Sequence, residues 1–124
     1  MIHLDANYLI LGGIESSPQN SDLRRWLSQG EAASTSAIAW MEFVTGPVIP
    51  EVVESIRLVI EDRIVPIGRD EAELAARLFN MLGRKRALRY DCLIAATAIQ
   101  SRARLATANR SDFALFEAHG LELA

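Results

Sequence analysis

Five short runs of apolar or small residues, none longer than five residues, alternate along the chain with segments whose apolar residues recur at helical spacing. That alternation restricts the fold to an α/β domain with a mostly parallel sheet covered on both faces. MIHLD opens as a strand that ends at Asp5, and Asn7 with the Gly12-Gly13 pair marks a brief turn or helix after it. SDLRRWLSQG reads as an amphipathic helix with Ser21 as cap, Leu23, Trp26 and Leu27 as its apolar side and Gly30 as its stop. A second strand is expected near residues 32–36, followed by an unusually apolar helix, AIAWMEFVTG, broken by Gly46 and Pro47. Residues 50–62 place Val52, Val53, Ile56, Val59 and Ile60 opposite Glu51, Glu54, Arg57 and Glu61, the pattern of a surface helix. IVPI at 64–67 fits an edge strand, because Pro66 cannot donate to a ladder. Asp70 can cap the helix DEAELAARLFNML, which Gly83 and the basic loop 84–86 end. Residues 90–102 form a helix rich in small residues, and RLATA and LELA supply two last strands around a helix at 110–118.

With 124 residues, 50% apolar and 23% charged, the chain suits one domain spanning 1–124. Its longest stretches free of Asp, Glu, Lys and Arg, 32–41 and 92–101, run 10 residues, against the roughly 18 that a membrane span needs. Asp5 and the lack of a basic segment before the first apolar run argue against a secretory signal, so a cytoplasmic protein is expected. Cys92 stands alone and can form neither an internal disulfide nor a Cys/His zinc site.

The charges nearly cancel overall but not by position. Residues 1–68 hold four basic and nine acidic groups, whereas residues 84–110 hold seven basic ones (Arg84, Lys85, Arg86, Arg89, Arg102, Arg104, Arg110) against Asp91 alone. Twelve of the 13 basic residues are Arg, which suits planar phosphate recognition and fits genomic base composition equally well.

Four carboxylates sit where chemistry is commonly placed in such a fold, and each has a structural alternative. Asp5 closes a strand, the edge at which open parallel sheets bind ligands, yet Asp5 or Asn7 can equally cap the next turn. Glu42 is surrounded by Ala39, Trp40, Met41, Phe43 and Val44 and therefore needs a cation beside it, either a metal or an arginine. Asp91 opens an apolar helix, where a carboxylate also complements the helix dipole. Asn109 can cap the last helix with Asp112 at its third position, close to a capping box. Converging carboxylates repel unless a divalent cation lies between them, and oxygen-only ligands select Mg²⁺ or Mn²⁺ over zinc.

Four segments, MIHLDANYLI, TSAIAWMEF, YDCLIAATAI and LATANRSDF, together resemble the PIN-domain ribonucleases, and among them the VapC toxins of bacterial toxin–antitoxin pairs. Their acidic residues are separated by 37, 49 and 21 positions, in the expected order over nearly the whole chain. The resemblance implies a three-layer α/β/α sandwich and a Mg²⁺ or Mn²⁺ site from Asp5 and Asp91, completed by Glu42 and Asp112. Asn7, Thr107 and Asn109 stand as supporting groups around those ligands. The chain departs from the family pattern where a glycine usually precedes the fourth strand, having Ser101-Arg102-Ala103-Arg104 there.

What the resemblance implies is metal-dependent hydrolysis of RNA by an endoribonuclease, with transfer RNA ahead of ribosomal or messenger RNA as substrate. Arg84, Lys85, Arg86 and Arg89, with Arg110 from the other side, are the candidates to hold the RNA backbone. The implied partners are a VapB-like antitoxin and a second copy of the chain; Trp40, Phe43, Phe79 and Met81 are more than a small core readily holds, so core packing is expected first for each and an interface for some. Two other readings compete. A silent PIN-like domain would bind RNA or protein without cutting, and a receiver-type phosphoacceptor would need an acidic pair and a strand-closing Lys that the chain lacks.

Overall fold

The computed structural model describes residues 1–124. Its strands are β1 (Ile2–Leu4), β2 (Ala33–Ser36), β3 (Ile64–Val65), β4 (Arg104–Ala106) and β5 (Glu122–Leu123). They form one sheet in the order β3-β2-β1-β4-β5, and every neighbouring pair is parallel. Seven helices connect them: α1 (Ala6–Leu11), α2 (Pro18–Ser28), α3 (Ala37–Thr45), α4 (Pro50–Val59), α5 (Arg69–Met81), α6 (Arg89–Gln100) and α7 (Arg110–Ala114). No helix is long and apolar enough to cross a membrane.

The period-two alternation of strands divides the core into two layers. Ile2, Leu4, Ala33 and Ala106 face one cluster with Leu9, Trp26, Phe43 and Ile56 of α1–α4. Leu105 faces the other, with Leu78 of α5, Ile94, Ala95 and Ala96 of α6 and Phe113 of α7. The result is the three-layer α/β/α sandwich, with each fully buried Leu, Ile or Phe contributing about 1.5–3 kcal/mol of transfer energy. Alanines at 95, 96 and 98, all buried, let α6 lie close beneath the sheet. Of the four large side chains, Phe43 is fully buried, Trp40 packs on it with ring centroids 5.3 Å apart and planes tilted by 60°, and Phe79 packs against the second layer, the core role expected of each. Only Met81 lies open to solvent, at 57% exposure.

Several element ends differ from expectation for local reasons. α2 begins three residues before Ser21: Ser17 accepts the Asn20 N–H at 3.0 Å, and Pro18 follows it, where a missing N–H is harmless. Asp70 is not a cap either. α5 starts at Arg69, and the Gly68 N–H donates to Glu71 Oε2 at 3.1 Å, leaving Asp70 to complement the dipole of the first turn. From Pro66 onward no ladder forms, so β3 is two residues long. The last expected helix splits into α7 and a 3-10 turn at Glu117–His119. Arg104, counted among the cations of the 84–110 segment, is paired with Glu31 at 2.7 Å at the opposite end of the sheet from the strand carboxyl ends.

Helices α2, α4, α5 and α6 all end in the same hydrogen-bonded reversal, in which the last two N–H groups turn back to the helix's final carbonyls. After α2 the left-handed residue is Gly30, and after α5 it is Gly83, followed by Arg84 (φ +58°); after α4 it is Glu61 (φ +50°), followed by Asp62 (φ +57°), and after α6 it is Arg102 (φ +53°). The turn before β4 therefore forms without glycine, with Arg102 N–H donating to Ile99 O and Ala103 N–H to Ala98 O, both at 3.0 Å.

His3 lies in the central strand on the face opposite Ile2 and Leu4, in register with Leu105, and is 1% exposed. Neither ring nitrogen has a hydrogen-bond partner. Burial, with the nearby N-terminal ammonium, pushes the imidazole down to about 4.

Two outcomes follow from these backbone and core features. Arg102→Gly should raise stability by about 0.5–1 kcal/mol, because relief of about 1–2 kcal/mol of left-handed strain exceeds the added freedom of the unfolded chain; urea denaturation giving an equal or lower value would overturn it. His3 binds its proton in the unfolded chain before the folded one, so its contribution holds above pH 6.5 and is lost as pH falls toward 4, by about 3 kcal/mol. The difference between the stability-versus-pH curves of the wild type and His3→Leu should show that loss.

Candidate active site

The order of strands reverses direction between β1 and β4, and in open α/β sheets the crevice at the carboxyl ends of such a pair is where ligands bind. Asp5 lies at the floor of this crevice, 4% exposed, immediately after β1. Its Oδ1 accepts the Ala6 N–H at 2.9 Å, capping α1, and its Oδ2 accepts the Thr107 hydroxyl at 2.7 Å. Capping and a place at the crevice are thus compatible: a carboxylate has about four acceptor positions, and these bonds use two.

Thr107 follows β4 and is itself held, its Oγ1 accepting the Asn109 N–H at 3.0 Å. Asn7 closes the same junction from α1, its Oδ1 accepting the Ala108 N–H at 3.1 Å. The Asn109 side chain makes no capping bond, so the capping box with Asp112 does not form. Two neighbouring strands and the starts of α1 and α7 are in this way tied around Asp5.

The other carboxylates arrive on separate elements. Glu42 sits on α3, which follows β2 and is capped by Ser36, whose Oγ accepts the Ala39 N–H at 3.1 Å. The buried Ser36 at a strand end, just before an apolar helix, is a positioning residue that the cap pattern could have revealed. Asp91 occupies the first turn of α6, which runs against the strands and so delivers its N-terminus to their carboxyl ends. Asp112 occupies the first turn of α7. Exposure rises from Asp5 through half-buried Glu42 and Asp91 to exposed Asp112 at the rim.

These groups feel one another. Burial raises Asp91 to about 6, and the charges of Asp5 and Asp112 add to that. Burial likewise raises Glu42, with Asp5 and Asp91 adding to it. The α6 dipole favours charge on Asp91 by only about 0.3–1 kcal/mol, too little to offset burial and two like charges. Neither Glu42 nor Asp91 has an arginine as a salt-bridge partner, which removes the pairing that would otherwise satisfy Glu42. No three acidic or histidine side chains close into a ready-made cage. Like charges in one crevice keep apart until a cation offsets them, and an all-oxygen donor set suits a hard divalent ion.

The cations divide by position. Arg84, Lys85, Arg86 and Arg89 are exposed in the loop and first turn leading to Asp91. Arg84 is partly engaged, donating to Asn80 Oδ1 at 2.6 Å and lying over the Phe79 ring. Arg110 turns instead to the chain end, donating to the Ala124 carbonyl at 2.6 Å. Arg102 stands just past the far end of α6, about 16 Å from Asp91 along the helix direction. A cleft of about 200 Å³ lined by Ile10, Phe43, Val48 and Val52 opens beside Glu42.

A family model for the PIN domain matches residues 2–117. No curated protein matches the sequence. Among solved structures the chain is similar to FitAcB from Neisseria gonorrhoeae, at 27% identity and a TM-score of 0.68, covering 100% of this chain and 97% of that one. It is also similar to a toxin-antitoxin complex from Klebsiella pneumoniae, at 28% identity and a TM-score of 0.70, over 92% of this chain and 91% of that one. VapBC2 from Rickettsia felis, bound to a DNA fragment from their promoter, shares the fold at 20% identity and a TM-score of 0.72, over 100% and 98% of the two chains.

The crowded carboxylates have a measurable cost. Asp91 is raised above its unfolded value of 3.8, so at pH above 6 its charge destabilises the fold, and the penalty fades as the folded state takes up a proton between pH 6 and 4. Asp91→Asn should therefore stabilise the metal-free protein by about 1 kcal/mol at pH 7.5, a value discounted for solvent screening, and by little at pH 4. Thermal melts in EDTA at both pH values measure this, and a destabilised variant at pH 7.5 would contradict it.

Proposed function

The chain belongs to the PIN-domain family, and from that we propose that it is a Mg²⁺- or Mn²⁺-dependent endoribonuclease, the toxin of a type II toxin–antitoxin pair. The observation that carries the reading is the convergence of four carboxylates from separate elements, two of them raised by burial and mutual repulsion, at one sheet edge. A domain that only bound RNA would gain nothing from that repulsion, which favours the nuclease reading over a silent RNA-binding one.

Asp5 and Asp91 would hold the ion, with Glu42 and Asp112 completing the oxygen donors. A bound divalent cation supplies charge stabilisation at the phosphoryl group and lowers the pKa of a water. The chain's own residues do the rest. Thr107 and Ala6 fix the Asp5 carboxylate, so that its free lone pairs point from a rigid floor. Glu42, half-buried and raised above its ordinary value by burial and by the charges of Asp5 and Asp91, is suited to accept the proton of the attacking water at its carboxylate oxygen. Arg84, Lys85, Arg86 and Arg89 offset the phosphate charges of the approaching backbone. Transfer RNA is the first substrate to test.

The proposed partners are a VapB-like antitoxin and a second copy of the chain. The apolar cleft beside Glu42, with Ile10 of its lining 48% exposed, supports a partner segment seated next to the carboxylates. The similar Klebsiella pneumoniae structure, at 28% identity, is a toxin-antitoxin complex, which supports the same reading.

Incubation with total cellular RNA in Mg²⁺ or Mn²⁺ should yield discrete fragments that EDTA abolishes, and Asp5→Ala and Asp91→Ala should each reduce cleavage at least about 100-fold. Asp91→Asn should bind RNA without cutting it. RNA bound but uncut by the wild type under every metal condition would replace the nuclease reading with that of a silent binding domain.

A further inference from the structure

Between the loop after α5 and the first turn of α6 lies a pocket of about 270 Å³ lined by Arg86, Ala87, Arg89 and Tyr90. The local geometry creates it. Arg86 opens a 3-10 turn, Arg86–Leu88, in which side chains three apart lie over one another, so the Arg86 and Arg89 guanidiniums flank the same space. Tyr90, four residues beyond Arg86, closes the third side with its ring. Tyr90 is 55% exposed although its neighbours Cys92 and Ile94 are buried, so the ring is not needed by the core. Arg57, Arg63, Arg69 and Arg104 are all paired with carboxylates, whereas Arg86 and Arg89 have no acidic partner.

We infer that this pocket is a subsite for one nucleotide of single-stranded RNA beside the scissile phosphate, with the base stacked on Tyr90 and its phosphates held by Arg86 and Arg89. The inference rests on the ribonuclease reading and adds to it a base-contacting residue. Guanidiniums alone would fit any anion; the aromatic ring that shares the pocket with them adds a stacking face, which suits a nucleobase. An acidic peptide would engage the guanidiniums but needs an added apolar or aromatic side chain to use the ring, whereas a nucleotide carries both the charge and the stacking face. Position agrees with this role. Tyr90 and Asp91 are consecutive, with Cα atoms about 3.8 Å apart, and the rotation of about 100° per helical residue sends their side chains to different sides. A nucleotide on Tyr90 thus stays out of the carboxylate crevice while its neighbouring phosphate reaches it. Stacking is tolerant of base identity, so the pocket would select unpaired RNA over duplex RNA and leave sequence choice to other surfaces.

The test is binding of a fluorescein-labelled single-stranded oligoribonucleotide in EDTA, measured by anisotropy over a salt series. Tyr90→Ala should weaken binding roughly 5- to 150-fold, the range for losing one stacked base, without changing the salt slope; Tyr90→Phe should bind like the wild type. Arg86→Gln and Arg89→Gln should each flatten the slope by about 0.7. Unchanged binding by Tyr90→Ala, no binding by the wild type, or displacement of the RNA by poly-glutamate with the same dependence on Tyr90 would overturn the subsite, the last in favour of an acidic peptide. The two readings fail separately: fragments from total RNA with equal yield in Tyr90→Ala would sink the subsite and keep the nuclease, whereas Tyr90-dependent binding with no cleavage would keep the subsite and sink the nuclease.

Discussion

A carboxylate 96% removed from solvent is tolerable only if its oxygens are hydrogen-bonded, and the two bonds that Asp5 accepts organise everything around it. One comes from the first turn of α1, the other from Thr107 after β4. They join the two strands on either side of the point where the sheet's winding reverses. Since β1 and β4 are 100 residues apart in the chain, this is a long-range tie, and Asn7 doubles it by accepting from Ala108. Remove the Thr107 hydroxyl and an oxygen of a buried carboxylate loses its partner, at a cost of about 1–3 kcal/mol. The floor of the site and the joint of the fold are thus the same few atoms.

Above that floor the electrostatics are deliberately unbalanced. Glu42 and Asp91 have no cationic partner, although the chain carries 13 basic residues. The arginines that could neutralise them are used elsewhere: Arg104 pairs with Glu31 below the sheet, and Arg110 reaches the terminal carbonyl. Arg86, Arg89 and Lys85 stay in solvent at the mouth of the site. Negative charge at the centre and positive charge around the approach is the division that the proposed cation-assisted work on a polyanion would need. The same imbalance lowers the stability of the metal-free fold, a trade common at functional sites.

Much of this was legible in residue order, and the exceptions have local causes. The strand ending at Asp5, the apolar helix around Glu42 and the small-residue helix after Asp91 stand where periodicity and spacing place them. The start of α2 was not legible as Ser21, because Ser17-Pro18 is the stronger signal: a side-chain acceptor followed by a residue with no N–H to satisfy. Asp70 gave way to Gly68 since the reciprocal bond from Glu71 caps α5 without it. The turn at Arg102 shows that a missing glycine changes the energy of a reversal rather than its path, as two returning hydrogen bonds hold the same geometry. Trp40, Phe43 and Phe79 looked too many for a small core. Two layers, one on each face of the sheet, absorb them.

By itself the sequence determined the class of fold, the elements and the identity of the acidic residues, because helical and strand periodicities and cap chemistry act over a few residues and are written in local order. Tertiary structure alone decided which groups meet. It brought Thr107 to Asp5 across 102 positions, left Glu42 and Asp91 without arginine partners, and sent Arg104 to the far end of the sheet. It also turned Arg86, Arg89 and Tyr90 into the walls of one pocket. The physical reason is that burial and charge coupling depend on distance and solvent access in three dimensions, which strand order sets and local sequence does not encode.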